Sequence, residues 1–404
     1  YYQWGGRERE DNQTRDLVQV VNIGQLIVPA TGTTPAVTSN MRYRSHSWLE
    51  NQTAGVNYLA TASDVTGSHS LKFGYQGNWW RDDREMHSNN QALQYTFVFG
   101  GPVTITQYAN PYEVKARAAQ ATLFVQDQWT HDRLTLQGAL RWDHPWSWFP
   151  EQTEPASRFF PGASFPDTEG VTGYNDITPR MGVAYDLFGN GKTALKANLG
   201  KYLQGASVSN LAYGSNPALR IPGGGGGIFN PSVSRSWGDA DGNFIPGCDL
   251  NNPQANGECG TISDLRFGST QLIGAQYDPG LFSGWGVRPS DWSFGVSVQQ
   301  EIFPRGSVEV AYNRRSFTMY TTGGTVTDNL AVSPNDIAAY TVAAPGDSRL
   351  PDSGGNTVGP LYNLNPNVFG QQNLLIKATN DVGDDTRVFN GVDVTVAVRG
   401  AHGL

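Results

Sequence analysis

Charge is scarce in this chain. Of its 404 residues only 16% are Asp, Glu, Lys or Arg, against about 25% in an average domain. The 28 basic residues are outnumbered by 36 acidic ones, leaving a net charge of −8. That balance argues against a nucleic-acid partner, which needs a basic face. Cysteine is nearly absent, with only Cys248 and Cys259, so disulfides do not organise the fold. No run of about 18 apolar residues occurs, which excludes a transmembrane helix. It does not exclude a transmembrane barrel, whose alternating strands leave a faint hydropathy signal. No signal peptide precedes Tyr1, and the chain reads as an internal fragment or processed piece that starts in mid-strand.

What is plentiful is turn formers and rings: 48 Gly and 23 Pro beside 18 Phe, 17 Tyr and 11 Trp. A helical bundle or coiled coil would instead be rich in Ala, Glu, Lys and Leu, and a disordered chain would be poor in aromatics. Apolar residues alternate with polar ones at period 2, the mark of strands with one apolar face. Leu134, Leu136, Leu140 and Trp142 oppose Arg133, Thr135, Gln137, Arg141 and Asp143. Met181, Val183 and Tyr185 oppose Arg180, Gly182, Ala184 and Asp186, and Leu195, Ala197 and Leu199 oppose Lys192, Lys196 and Asn198. Trp292 to Val298 oppose Ser293 to Glu301, Val308 to Tyr312 oppose Glu309 and Asn313, and Val392 to Val398 oppose Asp393 and Thr395. With strands near 45–63, 70–81 and 113–130, the set numbers about nine. A weaker tenth lies before residue 40.

Two kinds of connection take turns along this set. The short ones fall at Asp64–His69, His131-Asp132, Phe188–Gly191 and Phe303–Gly306; Asn190-Gly191 is a strong hairpin signal, because type I′ turns need positive φ. The long ones, near 82–112, 149–177, 207–289 and 321–385, are rich in Gly, Pro, Asn and Ser and include the run Gly223–Gly227. A period-2 face meets either lipid or protein. Tight turns on one rim and long loops on the other are the habit of outer-membrane barrels, and that asymmetry favours lipid. Trp79, Trp80, Trp129, Trp142, Trp146, Trp148 and Trp292 sit near strand ends, where interfacial girdles form, although hairpin or core aromatics would sit there too.

Few residues suggest chemistry. Gly191-Lys192-Thr193 ends like a phosphate loop, but Asp186 stands where another Gly is needed and a strand follows instead of a helix. Asp239, Asp241, Asn243 and Asp249 offer hard oxygens of the kind Ca²⁺ takes; the alternative is a polar turn with Asx caps, since Phe244 and Leu250 fill the EF-hand glycine and glutamate places. Cys248 and Cys259 are expected to form a disulfide if their loop is extracellular, the alternatives being free thiols or a bare metal pair. The six histidines show no metal or triad spacing, and Asp82-Asp83-Arg84-Glu85 reads as a charged outer rim. Neither G-x-S-x-G nor H-E-x-x-H occurs, and no enzyme activity is expected.

Several segments together resemble a family. Leu123–Trp129, Leu134–Asp143, Ile177–Asp186, Phe188–Lys196, Asp291–Glu301 and Phe389–Val396 resemble successive barrel strands of TonB-dependent outer-membrane receptors, most closely the Oar-like type with a carboxypeptidase-regulatory-like domain ahead of the plug. The resemblance implies a 22-stranded antiparallel up-and-down barrel in a Gram-negative outer membrane, closed by a plug domain. It also implies uptake of a bulky extracellular ligand, energised by the TonB complex. No plug, TonB-contacting segment or terminal aromatic strand is recognisable, the chain stopping at Ala401–Leu404. The expectation is therefore an all-β, partial barrel of about nine or ten strands over residues 1–404. Within it, Arg133, Arg141, Arg180, Asp186, Lys196, Glu301, Glu309 and Asp393 face the lumen and a plug, because a lipid face would cost several kcal/mol for each near the midplane. The second expectation is a secreted soluble all-β protein binding carbohydrate or an adhesion partner.

Overall fold

A computed structural model describes residues 2–6, 15–28, 37–45, 47–207, 213–224, 230–319 and 324–399. His46, His402, Ala401–Leu404 and part of the glycine run lie outside them. Ten strands form one antiparallel path: β1 (Tyr2–Gly6), β2 (Trp48–Thr66), β3 (His69–His87), β4 (Tyr112–His131), β5 (Leu134–Phe149), β6 (Gly173–Asp186), β7 (Thr193–Leu203), β8 (Ser290–Phe303), β9 (Gly306–Thr318) and β10 (Thr386–Val398). Each pairs with its neighbours in this order, and among the described residues no pairing joins β1 to β10. The fold is all-β, an antiparallel up-and-down sheet that includes the weak tenth strand at the N-terminal side.

Register sorts the side chains onto two faces. Leu195 stands opposite Val298, Val298 opposite Val310 and Val310 opposite Val394, one apolar row across four strands. Leu123, Val125, Leu140, Met181, Phe294 and Val296 extend this face, and all are exposed. Among the described residues this row therefore packs on no apolar core. Because side chains alternate at period 2, the intervening residues make a polar face.

The short connections are tight: Gly67-Ser68, Asp132-Arg133 and Pro304-Arg305 join β2–β3, β4–β5 and β8–β9. Gly67, Asp132 and Arg305 all adopt positive φ there, as hairpin turns that follow the strand twist require. The β6–β7 turn runs over 187–192, and the Asp186 carboxylate accepts from the Gly189 and Gly191 N–H groups at 3.0 and 2.8 Å. A Cβ on Gly189 would collide with the Arg133 guanidinium.

The long connections differ from expectation, for they are built structure. β3 runs to His87 and β6 starts at Gly173, so the first two loops begin later or end earlier than their composition indicates. Between the strands lies a five-stranded mixed sheet ordered Ser232–Ser236, Gly101–Tyr108, Leu93–Val98, Gln19–Val28 and Val37–Tyr43. Hairpins at Gln152–Glu154 with Ala163–Phe165 and at Ile337–Ala343 with Thr357–Leu364 add to it. The cores sit here. Met86, Tyr112, Val114, Phe160, Phe165 and Ile221 form one cluster, and Val20, Leu93, Phe97, Ile105, Trp237 and Cys259 another.

Candidate functional site

The body on the long-connection side is fixed to the outer strand ends by buried polar groups. Tyr112 Oη donates to the Ala218 carbonyl at 2.7 Å, and Asn216 Nδ2 donates to the Lys115 carbonyl at 2.9 Å. Asn230 Nδ2 reaches both the Met86 and Ala109 carbonyls. Each is a side-chain amide or hydroxyl donating to a backbone oxygen across this junction. A buried donor without such a partner would cost about 1–3 kcal/mol. Arg288 Nε donates to Asp176 Oδ2 at 2.7 Å, and both are nearly fully buried. That pair holds the return of the third long connection against β6.

Within this body Cys248 and Cys259 are joined in a disulfide with Cα atoms 5.9 Å apart. The loop it closes wraps Arg235, whose guanidinium donates to the carbonyls of Gly260, Asn252 and Gln254 at 2.8 to 2.9 Å. Trp237 packs its ring at a tilt against Tyr95 and edge-on against Phe97 beneath the same loop.

The acidic residues of this loop do not all meet. Asp239 and Asp241 approach one another, and the third carboxylate beside them is Glu258, not Asp249. Asp249 instead caps its own turn by accepting from the Asn251 N–H, while Asn243 Oδ1 accepts from the Ile245 N–H. The disulfide folds the chain back, so Glu258 arrives from across the loop. The Ala240 and Gly247 N–H groups donate to it at 2.7 and 2.9 Å, and these bonds hold its carboxyl below the usual carboxylate range.

On the polar face of the sheet, Arg141, Arg180, Lys196, Glu309 and Asp393 share one side by register, and Glu301 follows at a bulge near its turn. Lys196 Nζ donates to Gln299 at 2.7 Å and reaches Glu309 at 3.4 Å, while Ser297 Oγ donates to Glu309 at 2.7 Å. Asn313 Nδ2 donates to Asp393. Arg141 Nε contacts both Asp143 oxygens at 3.0 Å, and Gln120 and Thr122 donate to the same carboxylate. Arg180 lies over the Tyr202 ring. Two expected members stand apart: Asp186 is spent on the turn amides, and Arg133 lies against that turn. Both sit where the chain reverses, so parity alone does not aim them inward.

Other expectations shift likewise. Of the expected charged outer rim, Asp82 and Asp83 are buried and paired, Asp82 with Arg84 and Asp83 with Arg81 and Arg117, while the Glu85 side chain stays partly exposed. Trp79, Trp142, Trp146 and Trp148 lie on the apolar face toward the long connections, and Trp129 lies near the short-turn rim. Trp80 has the opposite parity and packs with Ala118, Val171 and Tyr174. Glu50, Glu85 and His87 converge, a group that no sequence spacing announces. The register of the β2–β3 hairpin would have found it.

A family model described as outer membrane beta barrel domain matches residues 4–404. No curated protein matches. Among solved structures the chain is similar to a double mutant of the Serratia marcescens hemophore receptor HasR in complex with its hemophore HasA and heme, at 14% identity and a TM-score of 0.36, covering 88% of this chain and 41% of that one. It is similar to the outer membrane transporter YddB from Escherichia coli, at 12% identity and 0.40, covering 95% and 35%. It is also similar to the ferric-catecholate import receptor Fiu from E. coli K12, at 10% identity and 0.38, covering 95% and 40%. The chain thus spans between 35% and 41% of the length of these structures.

Proposed function

Because the chain belongs to the outer membrane beta barrel domain family, and so to the outer membrane of a Gram-negative bacterium, we propose that it is part of the barrel of an energy-coupled receptor. This receptor takes up a ligand too bulky for open pores. The observation that carries the reading is the one-sided architecture: tight turns on one rim and a packed, disulfide-bearing body on the other. Such a body presents fixed surface to the outside, which suits selective binding more than simple permeation. The ten-strand path, whose ends do not pair with each other among the described residues, is completed, in this reading, by strands of the parent barrel. A plug in that barrel meets the polar face at Arg141, Arg180, Lys196, Glu309 and Asp393, and the TonB complex supplies the energy.

The reading assigns no catalytic step. Against a soluble secreted module stands the row Leu195, Val298, Val310 and Val394, whose last three members are openly exposed, a surface that water disfavours and lipid accepts. The test is uptake by cells carrying the parent protein, offered panels of ferric siderophores, oligosaccharides and peptides, with and without a protonophore. Accumulation that collapses when the proton gradient is removed is the expected result. Accumulation indifferent to the protonophore would overturn energy coupling.

A further inference from the structure

The outer ends of β2 and β3 place two carboxylates and an imidazole together. Glu50 stands directly opposite Glu85, and Trp48 directly opposite His87, all on one face of the hairpin. Like charges in direct cross-strand register repel, so this pair needs a cation between them. The next residue in the same row, Glu113 on β4, has one, for Lys115 Nζ lies 2.8 Å from it. Among the described residues the basic group within 4.0 Å of Glu50 and Glu85 is His87, its Nε2 3.8 Å from Glu50 Oε1 and 3.6 Å from Glu85 Oε1. Those gaps are too long for hydrogen bonds. That nitrogen is buried and makes no hydrogen bond, where a buried polar atom normally has a partner.

We propose that Glu50, Glu85 and His87 bind a divalent cation of the zinc class, with its remaining positions open to water. The donor set suits that ion: one imidazole nitrogen and two carboxylate oxygens at about 2.0–2.2 Å from the metal would lie about 3.4 Å apart in tetrahedral geometry. The two nitrogen–oxygen spacings of 3.8 and 3.6 Å need only a small contraction, and all three donor atoms lie within 4.8 Å of one another. Ca²⁺ prefers six to eight oxygens and fits poorly. The ring is already oriented, stacked on Trp48 with centroids 4.9 Å apart and planes 5° apart, and the Arg15 guanidinium lies over the Trp48 ring at 4.5 Å. The site remains reachable, for the Glu50 and Glu85 side chains are 35% and 44% exposed. A bound ion would staple β2 to β3 where Leu49 and Met86 enter the core of the outer body.

The test is calorimetric titration of Zn²⁺ into the chelator-stripped full chain in detergent, with Ca²⁺ in parallel. One Zn²⁺ per chain is expected, with no matching Ca²⁺ uptake, and zinc-edge absorption should report one nitrogen ligand. Glu85→Gln and His87→Gln should each weaken binding at least ~10-fold, while Asp241→Asn in the other carboxylate group should not. Glu85→Gln leaves the Trp48–His87 stack intact and guards against misfolding of the histidine variant. Absence of Zn²⁺ uptake overturns the site, as does uptake that both variants retain. An imidazole that simply titrates between the two carboxylates, with no Zn²⁺ taken up, overturns it equally.

Discussion

Neighbouring residues on β9 separate the two faces cleanly. Val310 lies in the apolar row between Val298 and Val394, while Ala311 stands between Ser297 and Asp393 on the polar face. Val310 is the fourth residue beyond Gly306 at the short turn. At about 3.4 Å per residue and a tilt near 45°, its depth is roughly 10 Å, close to the middle of an apolar band about 25 Å tall. An arginine on the lipid side there costs roughly 2–4 kcal/mol, a shift of ~30- to ~1000-fold in the folded-to-unfolded ratio. An arginine at 311 meets Asp393 instead and should cost little. The variants Val310→Arg and Ala311→Arg, made in the protein that carries this chain, share composition and differ only in facing. Heat-modifiable migration of outer-membrane fractions, followed by urea unfolding in lipid vesicles, reads both assembly and stability. Val310→Arg should lose most of its assembled form and Ala311→Arg should retain it. Equal losses would refute the facing of the whole sheet, because register ties every other strand to this one. Arg141→Leu is a poor control, since it strands the buried Asp143 carboxylate that Arg141 neutralises.

The disulfide closes a loop of 11 residues' separation, so its reduction, or Cys248→Ser with Cys259→Ser, should destabilise the outer body by roughly 2–3 kcal/mol. Trp237 beneath that loop should then redden its emission, while membrane assembly stays intact; loss of assembly would contradict the separation of the two regions. Glu154 gives a pH signature. Burial pushes its carboxyl up to about 7, against the opposing hydrogen bond from the Glu113 N–H. A raised carboxyl favours the folded state while protonated, so this contribution is complete below about pH 4.5 and is lost as pH rises through 7. The outer body should therefore resist proteolysis better at pH 5 than at pH 8, by about 3 kcal/mol at most, and Glu154→Gln should flatten the profile. A wild-type body more resistant at pH 8, or a slope unchanged in Glu154→Gln, would exclude this residue as its source.

Strand existence, turn positions and facing were readable because each depends on neighbours in sequence. Period 2 sorts Val308, Val310 and Tyr312 from Glu309 and Asn313 without any knowledge of their partners. Strand ends were not readable. Asp82 and Asp83 look like loop residues, and Arg84 beside Asp82, with Arg81 and the sequence-distant Arg117 beside Asp83, makes them acceptable inside a sheet. Asp249 is the nearest further carboxylate to Asp239 and Asp241 along the chain, whereas the disulfide brings Glu258 to them instead. The strands inside the long connections were hidden by the Gly, Pro and Asn that punctuate them. The Glu50–Glu85–His87 group is an intermediate case. Once Gly67-Ser68 is fixed as the turn, counting outward pairs Glu50 with Glu85 and Trp48 with His87, so the group was present in the sequence as arithmetic but not as a motif.

Strand length then explains why one sheet carries two kinds of surface. β2, β3 and β4 have 19, 19 and 20 residues, whereas β7 to β10 have 11 to 14. A membrane crossing uses about 9–11 residues, so the first group overshoots by roughly 8–10 residues, some 20 Å above the lipid at a tilt near 45°. Burial changes along these strands at that height. On the apolar face Phe73, Leu123 and Val125 near the turns are exposed, and on the opposite face Met86, Tyr112, Val114, Ala116 and Ala118 farther out are buried. One register must turn one face to lipid below and the other face to protein above. A slip of one residue in the β3–β4 register would therefore turn Val114 and Tyr112 out of their core and bring Gln126 toward lipid in one step. The paired Asp83 and Arg117 sit just where the two regimes meet, and a charge pair desolvated on one register alone penalises that slip further. The overshoot thus fixes the sheet from outside the membrane, where specific packing is available and lipid offers none.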